Sequence, residues 1–204
     1  ARQLAPGDAS VVASFGDSVT GLGDIGSALT LAEQAIALDP LNHYPYNVRL
    51  NALFAGRRYA DVISYGRQLA EKFPTDKSGE MTVADSLLFL GRFQEAQSHY
   101  GAQTPDFWHR LTGEAIVRAR SRDEAGAEQK IDRLRQIYGD AASTQFGEIY
   151  AQMGDKDRAF AALNRAYEIK DAGLLALKID AFLDPLRSDP RFATLMQKMN
   201  FPAV

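Results

Sequence analysis

The sequence predicts an all-α fold, a solenoid of about five helix–turn–helix repeats closed by C-terminal capping helices. Pro6, Pro40 and Pro74 recur at a constant interval of 34, and each follows an apolar segment. Three small or β-branched positions repeat at the same interval: Ala28, Val62 and Ala96. Such a period is typical of stacked helical hairpins, because each hairpin buries its apolar face only against its neighbours.

The spacing of apolar residues within each period supports helices rather than strands. These residues recur three or four positions apart, as they do on one face of an α-helix. The pattern predicts repeats at about 9–42, 43–76, 77–105, 106–139 and 140–170. The second helix of the third repeat is predicted to be short. The fourth repeat departs most from the pattern, with extra residues expected between its two helices.

Both ends of the chain fit a repeat array. Residues 1–8 match the end of a preceding repeat whose beginning is absent, which predicts that the chain is a piece of a longer protein. Residues 171–204 are predicted to form capping helices that cover the last apolar face. Asp184-Pro185 and Asp189-Pro190 are predicted helix starts, with aspartate as the N-cap and proline in the first helical position.

The period and its residue pattern resemble those of the tetratricopeptide-repeat (TPR) family. The match is cleanest in the fifth repeat, through Gly147, Tyr150, Gly154, Ala159 and Ala166. The resemblance implies a right-handed α-solenoid. The string LKIDAFLDPLRSDPRF is similar to the C-terminal end of bacterial multidomain regulators, in which such repeats follow a winged-helix, nucleotide cyclase or protein kinase domain. It therefore implies a regulatory role in signalling or transcription.

A glycine pattern in the first repeat has two interpretations. Gly21, Gly23 and Gly26 form G-x-G-x-x-G, which also occurs in dinucleotide-binding turns. That interpretation needs a buried strand before Gly21 and a second strand ending in an acidic residue about 20 residues later. The preceding SVT is a poor strand, and the later DPLNHYPYNV contains two prolines. We therefore predict that Gly23 ends a helix, as do the equivalent Gly91 and Gly154.

The composition argues against several classes of function. The net charge of −3 lacks the basic footprint of a nucleic-acid-binding protein. No apolar run approaches the length of a membrane span, which takes about 18 residues or more, so no span is predicted. The chain has no cysteine, which excludes disulfides and thiolate chemistry. We expect a cytoplasmic location, or a periplasmic one if a membrane span lies upstream.

No catalytic, cofactor or metal site is predicted. The three histidines, at 43, 99 and 109, have no second ligand at metal-binding spacing, and no carboxylate pair is fixed by local spacing. The basic residues of the fourth repeat alternate with acidic ones, which is typical of a solvated helix face rather than a phosphate site. Trp108 is predicted to lie in the core. Its exposure would instead indicate a binding hot spot.

The TPR resemblance implies a partner-binding groove lined by the first helix of each repeat. Carried over position by position, it places eight residues there: Asn47, Asn51, Phe54, Met81, Asp85, Leu88, His109 and Glu148. Asn47 and Asn51 are spaced to hydrogen-bond a peptide backbone, or else merely face water. Family members that clamp a C-terminal carboxylate use Lys or Arg at these positions, and this chain has none. The acidic residues instead favour a neutral or basic segment.

The leading hypothesis is a non-catalytic scaffold that binds a protein or peptide partner, with no cofactor, nucleic acid or membrane. An alternative is a self-association or effector-sensing domain that controls an attached output domain, which predicts a homo-oligomer or a small-molecule pocket. A remote alternative is an NAD-dependent enzyme, which rests on the glycine pattern alone.

Overall fold

The computed structural model describes residues 7–201, which contain no β-strand. Of the predicted repeat end at 1–8, all but Gly7 and Asp8 lies outside the described residues. Ten α-helices follow one another in five pairs: α1 Ala9–Gly21, α2 Ile25–Leu38, α3 Tyr44–Ala55, α4 Tyr59–Lys72, α5 Glu80–Phe89, α6 Phe93–Gly101, α7 Trp108–Arg120, α8 Glu124–Tyr138, α9 Ser143–Met153 and α10 Lys156–Ile169. The predicted all-α fold is confirmed.

The turns inside these pairs share one backbone feature. Each contains a residue with positive φ: Gly23 at 87°, Arg57 at 60°, Gly91 at 74°, Arg122 at 63° and Gly154 at 81°. Glycine adopts this conformation without a Cβ clash. The prediction that Gly23, Gly91 and Gly154 are turn residues is therefore confirmed. Gly21 is the last residue of a helix rather than the residue after a strand, so the dinucleotide-binding interpretation of G-x-G-x-x-G is wrong.

These turn residues also correct the register of the fourth repeat. They stand at positions 23, 57, 91, 122 and 154, so the interval of 34 holds twice and then shortens to 31 and 32. The turn from α7 to α8 has no extra residues, because it spans only 121–123. The three residues by which the interval shortens are absent upstream of this turn, because α6 has only nine residues. Counted back from its turn residue as in the first three repeats, the fourth repeat begins at 108, two residues later than predicted.

The residues divide into two compact units, and the first contains α1 to α5 at 7–91. Its helices pack through a buried cluster that includes Val12, Leu31, Ala32 and Val48. Small residues lie where helices cross, since a Cβ on Gly16 would be 3.3 Å from both Leu31 and Val48. Along this unit, α1 packs against α3, and α3 packs against α5. The first helices of successive pairs therefore lie side by side.

The second unit spans 92–201 and contains α6 to α10 followed by the C-terminal segment. That segment has 3₁₀ helices at Ala172–Ala176 and Asp184–Leu186, and a last helix, α11, at Pro190–Met199. It covers α9 and α10 with buried apolar side chains: Leu174, Leu177, Leu183, Leu186, Phe192 and Leu195.

The two predicted helix starts in this segment have different outcomes. The Asp189 carboxylate accepts a hydrogen bond from the Arg191 backbone N–H at the start of α11, which confirms that helix start. Asp184 is not an N-cap, because it is the first residue of a three-residue 3₁₀ helix that follows Leu183. Its carboxylate pairs instead with Arg187, at 2.6 Å.

Candidate partner-binding face

A polar stripe follows α3 in the first unit. Tyr44, Asn47 and Asn51 are three and four residues apart, so they lie on one side of the helix. Asn51 is exposed, whereas Tyr44 and Asn47 are half-buried. We call these three residues the α3 stripe. The α3 stripe lies between α1 and α5. Each of these is the first helix of its pair, and both pack against α3.

On the α5 side, hydrogen bonds fix both asparagine side chains. Asn47 Nδ2 donates to Ser78 Oγ at 2.5 Å and to Asp76 Oδ2 at 3.2 Å. Asn51 Oδ1 accepts from Thr82 Oγ1 at 3.1 Å. Within residues 7–201, no partner uses Asn51 Nδ2 or Asn47 Oδ1. The α3 stripe therefore has an open donor and an open acceptor one helical turn apart.

On the α1 side, Tyr44 lies beside Ser14 and Asp17. Burial, followed by the negative charge of Asp17, raises the pKa of Tyr44, and the Ser14 side chain lowers that pKa in part. Asp17 remains accessible to solvent, but the protein around it desolvates its carboxyl in part and so raises its pKa. Among the described residues no cation pairs with Asp17. The site thus contains an accessible, partly desolvated carboxylate without a counterion.

The first helices of the three pairs in this unit, α1, α3 and α5, contain a single cationic residue, Arg49. Arg49 belongs to a different environment, because its guanidinium lies 4.8 Å from the Tyr65 ring centroid on α4 and 3.5 Å from Glu33 on α2. Burial is the main reason that the pKa of Tyr65 is raised to about 12. The face formed by α1, α3 and α5 therefore has acidic and neutral polar groups but no free cation from these helices.

The other residues predicted for the groove in this unit are less accessible. Met81, Asp85 and Leu88 are only 7%, 4% and 0% exposed. Phe54 is half-buried in a ring cluster with Tyr59 and Phe89. The helix α5 is buried at most of its positions, so these side chains pack rather than present a surface.

In the second unit, the predicted site residues are His109 and Glu148, on α7 and α9. Both are half-buried. His109 stacks on Trp108 with ring centroids 5.0 Å apart. Trp108 is 38% exposed, so its predicted core position is wrong. The reason is the register shift, which makes Trp108 the first residue of α7 rather than a residue of its buried face.

The C-terminal segment covers part of the first-helix face in this unit. The Asp171 carboxylate accepts hydrogen bonds from the Thr144 backbone N–H at 3.1 Å and from its hydroxyl at 2.9 Å. Gly173 lies so close that a Cβ there would be 2.8 Å from the Thr144 side chain. Thr144 is 2% exposed as a result. The face is therefore more open in residues 7–91 than at this end of α9.

The basic residues of the fourth pair do not form an anion site. Three of them, Arg110, Lys130 and Arg133, border a cleft of about 600 Å³, and each pairs with an acidic side chain. Arg133 makes two hydrogen bonds to Asp106, at 2.6 and 2.9 Å. Arg110 and Lys130 both pair with the buried carboxylate of Glu114. Mixed charge was predicted here, and these pairs confirm it.

Within residues 7–201, no group of three His, Cys, Asp or Glu residues is placed to hold a metal ion. No helix in the same range is both long and apolar enough to cross a membrane.

The fold places the chain in the class of α-helical repeat proteins, and comparisons with known proteins specify the repeat. A family model described as "Tetratricopeptide repeat" matches residues 141–172. A solved TPR protein of Thermus thermophilus, TTC0263, aligns with a TM-score of 0.66 and 18% identity, covering 93% of this chain and 99% of that one. This chain therefore has a tetratricopeptide-repeat fold, as the sequence resemblance predicted.

Two further relatives have informative descriptions. The solved protein YrrB, described as a TPR protein with an unusual peptide-binding site, aligns with a TM-score of 0.51 and 15% identity, over 87% of this chain and 94% of that one. The Protein STIP1 homolog of Dictyostelium discoideum is 27% identical over 177 residues. That match covers 87% of this chain but only 26% of the homolog, so the chain spans about a quarter of that relative.

Proposed function

We propose that the chain is a non-catalytic scaffold that binds an extended segment of a partner protein on the α1, α3 and α5 face. The observation that carries the proposal is the open donor of Asn51 and the open acceptor of Asn47, both on the α3 stripe. Backbone amides of an extended segment offer the complementary groups.

The spacing suits a peptide backbone. One helical turn separates the two asparagines by about 5–6 Å. An extended chain repeats groups of the same orientation every two residues, which is about 6.8 Å. Asn51 Nδ2 would donate to a peptide carbonyl while Asn47 Oδ1 accepts an N–H. Because Ser78 and Thr82 already hold both amides, less side-chain freedom is lost on binding.

The comparisons support this role without specifying the partner. One structural neighbour is described as having a peptide-binding site, and the fold is shared with proteins of that kind. The similarity of residues 177–192 to the end of bacterial multidomain regulators supports a further proposal, that the scaffold is the regulatory part of a larger cytoplasmic signalling or transcription protein.

The test is selection of peptides by the purified chain from a random phage-display library, with a peptide length of about 12 residues because such a segment spans about 40 Å. We expect enriched peptides to bind the wild type at micromolar affinity and to lose about tenfold or more on the Asn47→Ala/Asn51→Ala variant. The matched control is Gln68→Ala, a change of an exposed amide on the second helix α4. Equal binding by all three proteins would refute the assignment of this face.

A further inference from the structure

We infer that the partner segment carries a lysine or arginine whose charged group pairs with Asp17. This inference rests on the proposed function, because it names the chemistry of the segment bound at the same face. Three observations carry it: the isolation of Asp17, the absence of competing cations, and the position of Tyr44.

The isolation of Asp17 contrasts with the other acidic residues nearby. Asp61 pairs with Arg58 at 2.6 Å, and Glu33 lies 3.5 Å from Arg49. Asp24 accepts a backbone hydrogen bond as an N-cap. Within residues 7–201, no Lys, Arg or His nitrogen lies within 4.0 Å of the exposed Asp17 carboxylate, although α1 packs against α3. An unpaired carboxylate on a face without a cation is complementary to an incoming Lys or Arg.

The surrounding face does not supply the cation. Helices α1 and α5 contain no Lys or Arg, and the one Arg of α3 reaches toward Tyr65 and Glu33 instead. Asp76, which accepts from Asn47, lies 3.0 Å from His43 Nδ1, so its charge is at least partly compensated, whereas Asp17 has no such neighbour. The complementary segment therefore carries its cation opposite Asp17. An acidic C-terminal tail would be repelled by Asp17.

Tyr44 connects this carboxylate to the asparagines. It shares the α3 stripe with Asn47 and Asn51, and it lies close enough to Asp17 for the two groups to interact electrostatically. A segment held by the asparagines thus passes Asp17 as well. The Tyr44 ring provides an aromatic surface beside the paired cation, an arrangement that favours arginine and lysine.

The inference is tested with three fluorescein-labelled synthetic peptides of about 12 residues, alternating Ser-Lys, Ser-Gln or Ser-Glu, with binding followed by anisotropy at about 50 and 300 mM NaCl. We expect the Ser-Lys peptide to bind the wild type about tenfold more tightly than the Ser-Gln peptide at low salt, and the Ser-Glu peptide not to bind. Asp17→Asn should weaken Ser-Lys binding about fivefold or more.

The control must separate a local pair from the overall negative charge. Glu71→Gln serves this purpose, because Glu71 is exposed on α4 of the same unit and its loss changes the net charge equally. We expect less than about a twofold effect from this control. Asp17→Lys should in addition reverse the preference toward the Ser-Glu peptide. Circular dichroism establishes that each variant is folded.

The outcomes distinguish this inference from the proposed function. If Asn47→Ala/Asn51→Ala weakens peptide binding while Asp17→Asn and Glu71→Gln behave alike, the face binds peptides and the inference about Asp17 is overturned. A lack of preference for the Ser-Lys peptide overturns it too. If the asparagine variant binds every peptide as the wild type does, the proposed function itself fails.

Discussion

Replacing Gly113 by alanine probes the packing of α7 against α6 at its closest approach. A Cβ at this position would lie 2.2 Å from Cζ, 2.3 Å from Cε1 and 2.7 Å from Cε2 of Tyr100. Carbon atoms in contact normally stay about 3.5–4.0 Å apart. Tyr100 is fully buried, so its ring cannot swing into solvent. The ring and the two helices must therefore move apart by about 1 Å or more.

The expected cost follows from two opposing effects. Overpacking a buried site costs about 1–3 kcal/mol, and the upper end applies because three ring atoms are involved. Alanine is a better helix former than glycine by about 1 kcal/mol, which offsets part of that cost. We expect a net loss of about 2 kcal/mol in the free energy of unfolding.

The assay is urea unfolding followed by far-ultraviolet circular dichroism. Gly101→Ala is the control, because Gly101 is exposed at the end of α6 and a Cβ there would meet nothing within 4 Å. We expect the control to change stability by no more than about 0.5 kcal/mol. Shortening the clashing ring should rescue the change, so Gly113→Ala should cost less in a Tyr100→Leu background. Wild-type stability for Gly113→Ala would refute the described packing.

Three further predictions concern single residues. Arg122→Gly should stabilise the chain by about 0.5–1 kcal/mol in urea unfolding, because glycine adopts the positive φ of 63° without strain. A loss of stability would show that the Arg122 side chain matters more than its backbone. Asp17→Asn should raise stability at pH 7, because burial raises the pKa of this carboxyl and penalises its charged form. The gain should vanish below the pKa of an ordinary aspartate, and lower stability at pH 7 would contradict it. Asp189→Asn should flatten the loss of stability on acidification. Hydrogen bonds from the side chain and backbone of Arg191 lower the pKa of Asp189 from 3.8 to about 2, so its contribution is present above pH 3.8 and disappears as the pH falls toward 2. An unchanged slope in urea unfolding between those pH values would count against it.

The repeat period predicted most of the helices because its apolar positions recur at helical spacing, and local signals mark some of the helix ends. Asp24 and Asp155 cap α2 and α10, and the glycine before each has the predicted left-handed backbone. In the fourth repeat Asp123 still caps α8, but Arg122 occupies the left-handed position, so no glycine marks the turn. Arg57 occupies the same position in the second repeat, where the constant interval of 34 still fixes the register. In the fourth repeat the interval is shorter, and the predicted start is two residues too early. The wrong prediction for Trp108 follows directly from that slip.

The candidate site was only partly predictable. The family resemblance indicated Asn47 and Asn51, but not the side chains that fix them. Ser78 and Thr82 each lie 31 residues after their asparagine, close to one period, and that interval is the signal that would have found them. The lack of a counterion at Asp17 depends on the burial of its surroundings and on the direction of the Arg49 side chain. Neither feature can be read from the spacing of residues in the sequence.

The most direct test of the proposed face is a titration of the ¹⁵N-labelled chain with one phage-selected peptide, followed by ¹H–¹⁵N correlation spectra. We predict that the largest shifts fall on α1, α3 and α5, and that they include the side-chain amide of Asn51, whose Nδ2 is open. Resonances of the exposed second-helix residues Gln68 and Glu71 should not move. Shifts concentrated on α4, with the Asn51 amide unchanged, would contradict the account.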